Sequence, residues 1–78
     1  MNKHYVDIIL RHQKSGELVP MYVCWDNGIT YRIDRILSKS RRFSKAGGCG
    51  VRYTCMIQGH CRQLFLEKDR WFIETERS

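Results

Sequence analysis

Hydrophobic alternation, cut at short intervals by turn-forming residues, constrains this 78-residue chain more than any other feature. Val51, Tyr53, Cys55 and Ile57 alternate with Arg52, Thr54, Met56 and Gln58. Val6, Ile8 and Leu10 alternate in the same way with Tyr5, Asp7, Ile9 and Arg11. A period of two puts successive side chains on opposite faces of a strand, and no stretch carries the 3.6-residue period of a helix. Turn signals fall at Lys14, Ser15, Gly16 and Glu17, at Asp26, Asn27 and Gly28, at Gly59 and His60, and at Lys68 and Asp69. They bound strands at residues 5–13, 18–25, 29–37, 51–58, 61–67 and 70–75. Pro20, which lacks a backbone donor, argues for an edge position or a strand start. Ile33, Ile36 and Leu37 share a face only if a bulge lies near Asp34 and Arg35. Trp71 and Ile73 on one side and Phe72 on the other make the last strand apolar on both faces, as a barrel-closing strand would be.

The prediction is one all-β domain over residues 1–78, a small antiparallel barrel or strongly bent sheet of about six strands, SH3-like in character. A chain of this size buries only about 60% of its unfolded surface, so its core is thin. Trp25 and Trp71 are expected in that core or at the barrel rim, and Cys24 and Cys55 as small buried hydrophobes.

Charge is distributed unevenly. Residues 35–62 hold seven basic side chains (Arg35, Lys39, Arg41, Arg42, Lys45, Arg52, Arg62) and no Asp or Glu. The other 50 residues hold seven basic and eight acidic side chains, so the net +6 is +7 from one segment and −1 from the rest. Residues 38–50, ending in Ala46, Gly47, Gly48, Cys49 and Gly50, read as a cationic loop suited to a polyanion. Lys39, Arg41, Arg42, Lys45 and Arg52 supply charge there. Phe43 and Tyr53 supply faces for stacking, with Tyr22, Tyr31 and Trp25 as neighbours, and Gly47, Gly48 and Gly50 allow close backbone approach. The plainer account of the same residues is a solvated loop that serves solubility. The glycines are not a phosphate-binding P-loop, because no Gly-Lys-Ser/Thr follows them and the chain runs into a strand rather than a helix.

No catalytic residue is assigned. His60 and Cys61 are adjacent and would point to opposite faces of a strand, and the carboxylates are scattered. Cys55 and Cys61 flank one turn and are read as able to face each other, with Cys49 folding back. The chain lacks the Cys-x₂₋₄-Cys knuckle of structural zinc sites, so no metal or other cofactor is expected. Met1 through Tyr5 lead straight into alternating sequence, with no apolar signal region and no run long enough to cross a bilayer. This predicts a cytoplasmic protein with reduced cysteines, the alternative being a secreted two-disulfide framework.

Pro20, Val23 and Trp25, then Gly28, Tyr31, Ile33, Ile36 and Leu37, then Arg52, Tyr53, Cys55, Ile57 and Gly59, then Leu64, Phe65 and Arg70 to Glu74, carry a resemblance. The chain resembles short uncharacterised β-proteins of Gram-positive bacteria. More distantly, it is similar to a small domain found alone or appended to Y-family DNA-polymerase-like proteins. The resemblance implies a bacterial, non-catalytic module working near DNA. The expected function is therefore a non-enzymatic module that binds DNA or RNA with little sequence preference through the 39–52 surface, without a membrane role. The competing expectation is a protein-interaction or assembly module that pairs through a strand edge, its basic loop meeting an acidic partner.

Overall fold

The computed structural model describes residues 2–43 and 49–75. Seven strands are present among them: β1 (Asn2–His12), β2 (Leu18–Cys24), β3 (Thr30–Arg32), β4 (Arg35–Phe43), β5 (Cys49–Ile57), β6 (His60–Glu67) and β7 (Arg70–Thr75). All pairings are antiparallel, and the sheet order is β3-β2-β1-β7-β6-β5-β4.

That order forces the sheet to curl. β3 and β4 occupy opposite edges, six inter-strand steps apart, which in a flat sheet is roughly 29 Å. Only Ile33 and Asp34 join them, and the three peptide units from Arg32 to Arg35 reach at most about 11 Å. The sheet therefore wraps into a half-barrel whose edges are tied by this short link. Ile33 donates its N–H to the Met21 carbonyl of β2 at 2.9 Å, and Asp34 donates to the Met56 carbonyl of β5 at 2.8 Å. The Asp34 carboxylate accepts the Gln58 N–H at 3.1 Å, fastening the link to the β5–β6 turn.

The concave face holds the core: Val6, Val23, Ile33, Tyr53, Cys55, Leu64 and Trp71. They follow from the alternation along β1, β5 and β7, and each pair that faces across the ladder (Val6 with Trp71, Tyr53 with Leu64) lies on this side. The convex face carries a second apolar row, in which Tyr5, Phe72, Phe65 and Arg52 are successive cross-strand partners. The Phe65 and Phe72 rings stack at 5.2 Å, and Tyr5 meets Phe72 edge-on at 5.7 Å. The Lys3 ammonium lies 5.0 Å above Phe72 and the Arg70 guanidinium 4.0 Å above Tyr5. Phe72 is wholly buried.

The structure corrects several details of the sequence reading. The predicted third strand is two strands, broken at Ile33 and Asp34, so the sheet has seven strands and not six. The bulge lies later than expected, between Ile36 and Ser38, and turns Leu37 outward. The hairpin turn is Gln58 and Gly59, both with positive φ (51° and 76°), one residue before the predicted pair. β7 is apolar on both faces because it is the central strand, not because it closes a barrel. Pro20 lies inside β2, opposite Leu10 at the β1–β2 bulge and beyond the reach of β3. Among the described residues no helix is long and apolar enough to cross a membrane.

Candidate functional site

The basic segment does not fold as one loop. Ser38 through Phe43 extend β4, paired residue by residue with β5: Ser38 with Thr54, Lys39 with Tyr53, Ser40 with Arg52, Arg41 with Val51, Arg42 with Gly50 and Phe43 with Cys49. Six of its seven basic residues are thereby carried on three neighbouring strands at one side of the sheet, β4, β5 and β6. The seventh, Lys45, lies outside the described residues with Gly47 and Gly48, and the side chains of Arg42 and Phe43 lie outside them too.

β4 is the edge strand, so side chains from both faces meet along its rim. Arg35, opposite Met56, belongs to the convex side with Arg52. Lys39 and Arg41, opposite Tyr53 and Val51, belong to the concave side. Arg35 and Arg41 are exposed. Lys39 is engaged within the fold: its ammonium lies 3.1 Å from Glu17 of the β1–β2 turn and 5.4 Å above the Tyr53 ring. The hydrogen bond to Glu17 raises the Lys39 pKa above the usual lysine value. This ion pair crosses the open side of the half-barrel. Arg52 is half-buried at the end of the aromatic row, and its Nε finds no hydrogen-bond partner among the described residues.

Two of the expected contact groups are corrected. Tyr53 is only 4% exposed, packed at 5.2 Å against Trp71, and its hydroxyl donates to the Leu18 carbonyl at 3.3 Å. It is a core residue that bridges β5 to β2 and offers no face to a base. Gly50 makes its close approach to the chain's own backbone: a Cβ there would run into the Leu66 carbonyl of β6.

The cysteines part in the same way. Cys55, opposite Arg62, points into the core, whereas Cys61, opposite Met56, points out, so the two do not face each other across the turn. Burial, and secondarily the Cys61 sulfur, pushes the Cys55 thiol up from 9.0 to about 11. Its Sγ donates to the Arg62 carbonyl at 3.5 Å. Cys24, Cys55 and Cys61 are free, and Cys24 is half-exposed, with the Thr30 hydroxyl 3.9 Å from its sulfur.

A second feature was not read from the sequence. At the end of the half-barrel where the 25–29 and 58–59 turns meet, an open cleft of about 310 Å³ is lined by Val23, Trp25, Tyr31, Ile57, Gln58, His60, Arg62 and Ile73. Trp25 is set there by its hairpin: its N–H donates to the Ile29 carbonyl at 2.9 Å, and Gly28, at φ 83°, donates back to the Trp25 carbonyl at 3.0 Å. His4 stacks on Trp25 at 4.7 Å and lies 3.0 Å from Asp26. Only the curl brings these residues together, because they come from five separate segments.

No family model, curated protein or solved structure matches this chain. Its function is therefore argued from its own geometry.

Proposed function

We propose that this protein is a non-enzymatic module that binds nucleic acid along the β4 rim, chiefly through phosphates. The observation that carries this reading is the gathering of the acid-free basic segment onto adjacent strands β4, β5 and β6 at one side of the sheet. Arg35 and Arg41 are exposed along that rim, with Lys39 between them. Positive side chains at strand spacing neutralise successive phosphates, release the condensed counterions and make affinity fall with salt. The corrected position of Tyr53 removes it from stacking and leaves charge as the main term at this edge.

Three phosphate contacts to a single strand give a slope of log K against log salt near −2, a loss of roughly 20-fold between 50 and 200 mM. Fluorescence anisotropy with labelled single-stranded DNA, duplex DNA and RNA measures it directly. An Arg35→Glu/Arg41→Glu variant is expected to bind more weakly at low salt and with a shallower slope. Equal binding by wild type and variant sinks the proposal.

A second reading rests on one further observation. Leu37 is 47% exposed at the β4 bulge, on an edge that has no neighbouring strand among the described residues. Such an edge accepts an added strand from a protein partner. Leu37→Asn, which removes the apolar side chain without adding charge, would weaken that contact and leave a phosphate contact intact.

A further inference from the structure

We infer that the open cleft at the Trp25 end of the half-barrel holds one unpaired nucleobase, with the adjoining phosphate on Arg62; this rests on the nucleic-acid reading above and extends it to a site. Three properties of the cleft point to that ligand.

The first is its walls. Trp25, just past β2, and Tyr31 of β3 bring aromatic rings to it, and Val23, Ile57 and Ile73 add apolar lining. Flat apolar walls suit a flat ring, and base–aromatic stacking tolerates any base. The volume of about 310 Å³ stands at the lower end of the range of small-molecule sites, roughly 300–1,000 Å³. It has room for one base with its sugar.

The second is its polar complement. Gln58 sits at the lip with an amide that can both donate and accept, as a base edge requires. Its backbone is anchored there, because its main-chain N–H donates to the Asp34 carboxylate.

The third is charge. Arg62 and His60 line the cleft and no carboxylate does. Asp34 accepts the Gln58 main-chain N–H, and Asp26 lies 3.0 Å from His4. The Arg62 guanidinium, among the described residues, makes one weak bond, donating to its neighbour's carbonyl on Cys61 at 3.4 Å. It keeps donors for a phosphate, which it can grip with two at once.

Placement completes the argument. The cleft adjoins the start of β4, since Arg35 pairs with Met56, next to lining residue Ile57. A strand whose base enters the cleft can run along β4 from Arg35 past Lys39 to Arg41. That is roughly 20 Å of β-strand.

The test is anisotropy with labelled pentathymidylate and with its fully abasic counterpart, for the wild type and for the Tyr31→Ala and Arg62→Ala variants. The base-bearing strand is expected to bind about 5- to 150-fold more tightly than the abasic one. The preference is expected to vanish in Tyr31→Ala, while Arg62→Ala weakens both strands. Equal binding of the two oligonucleotides by the wild type overturns the cleft proposal and leaves the β4 reading standing. If neither oligonucleotide binds, the β4 reading fails, and thymidine 5′-monophosphate decides the cleft. Quenching of tryptophan fluorescence in the wild type, absent in Tyr31→Ala, upholds a nucleotide site, and no quenching overturns it. Arg62 is exposed, so its loss does not put the fold at risk.

Discussion

Cys55 and Gly50 show how single atoms on β5 set conditions for the rest of the fold. Burial raises the pH at which the Cys55 thiol is half ionised to about 11, against 9.0 for an exposed thiol. Between those values the folded state binds more protons than the unfolded one, so stability is intact below pH 9 and declines as pH rises through the window. A shift of two units corresponds to at most roughly 2–3 kcal/mol. Lys3 and Lys39, raised by hydrogen bonds to Glu67 and Glu17, act with the same sign at higher pH. Urea melts from pH 8 to 10 are expected to show this decline in the wild type and not in Cys55→Ala, which starts less stable but stays flat. Gly50 is limited by space. A methyl group there meets the Leu66 carbonyl, a backbone atom that cannot swing away. Gly50→Ala is expected to cost about 1–3 kcal/mol, read as a lower urea midpoint at unchanged slope.

At the scale of elements, the two-residue link between β3 and β4 matters most. It converts an open sheet into a half-barrel, and the Asp34 carboxylate ties it to the Gln58 turn. Asp34→Ala is expected to cost about 1 kcal/mol, the net worth of one hydrogen bond. It is also expected to speed hydrogen exchange at the Gln58 amide ahead of the core amides. The same element marks where sequence reasoning stopped. Strand type and inward faces were legible on β1, β5, β6 and β7, because Val6, Tyr53, Cys55, Leu64 and Trp71 keep the period of two unbroken. The split at Ile33 and Asp34 was not, because Ile29 to Leu37 read as one apolar-rich run with a bulge. What breaks it is a tertiary demand, the need to cross from one edge to the other, and it leaves no turn residue behind. Residues 38–43 read as loop because their charge and serines are poor strand formers, yet pairing with Thr54 to Cys49 overrides that preference. Tyr53 was placed at the surface by its basic neighbours, although its own parity with Val51 and Cys55 already put it inside. The cleft had no local signal, being assembled from segments far apart in the chain.

For the whole molecule, the curl separates three surfaces. The concave core fixes stability, the convex aromatic row of Tyr5, Phe72 and Phe65 buries the central strand from its other side, and the β4 rim with its adjoining cleft stays open to solvent. Charge follows the same division. Lys3, paired with Glu67 at 2.7 Å, serves the fold, and so does Lys39 in part, whereas Arg35, Arg41 and Arg62 stay exposed. The proposal that nucleic acid meets this one side of the sheet is the one on which the cleft proposal rests. Backbone-amide NMR shifts, followed while a short single-stranded oligonucleotide is added at low salt, test it most directly. Shifts are expected to concentrate on β4 from Arg35 to Arg41 and on the cleft residues Trp25, Tyr31, Gln58 and Arg62, and to collapse as salt is raised. Shifts confined to the convex face around Tyr5 and Ile9, or none at all, would contradict it.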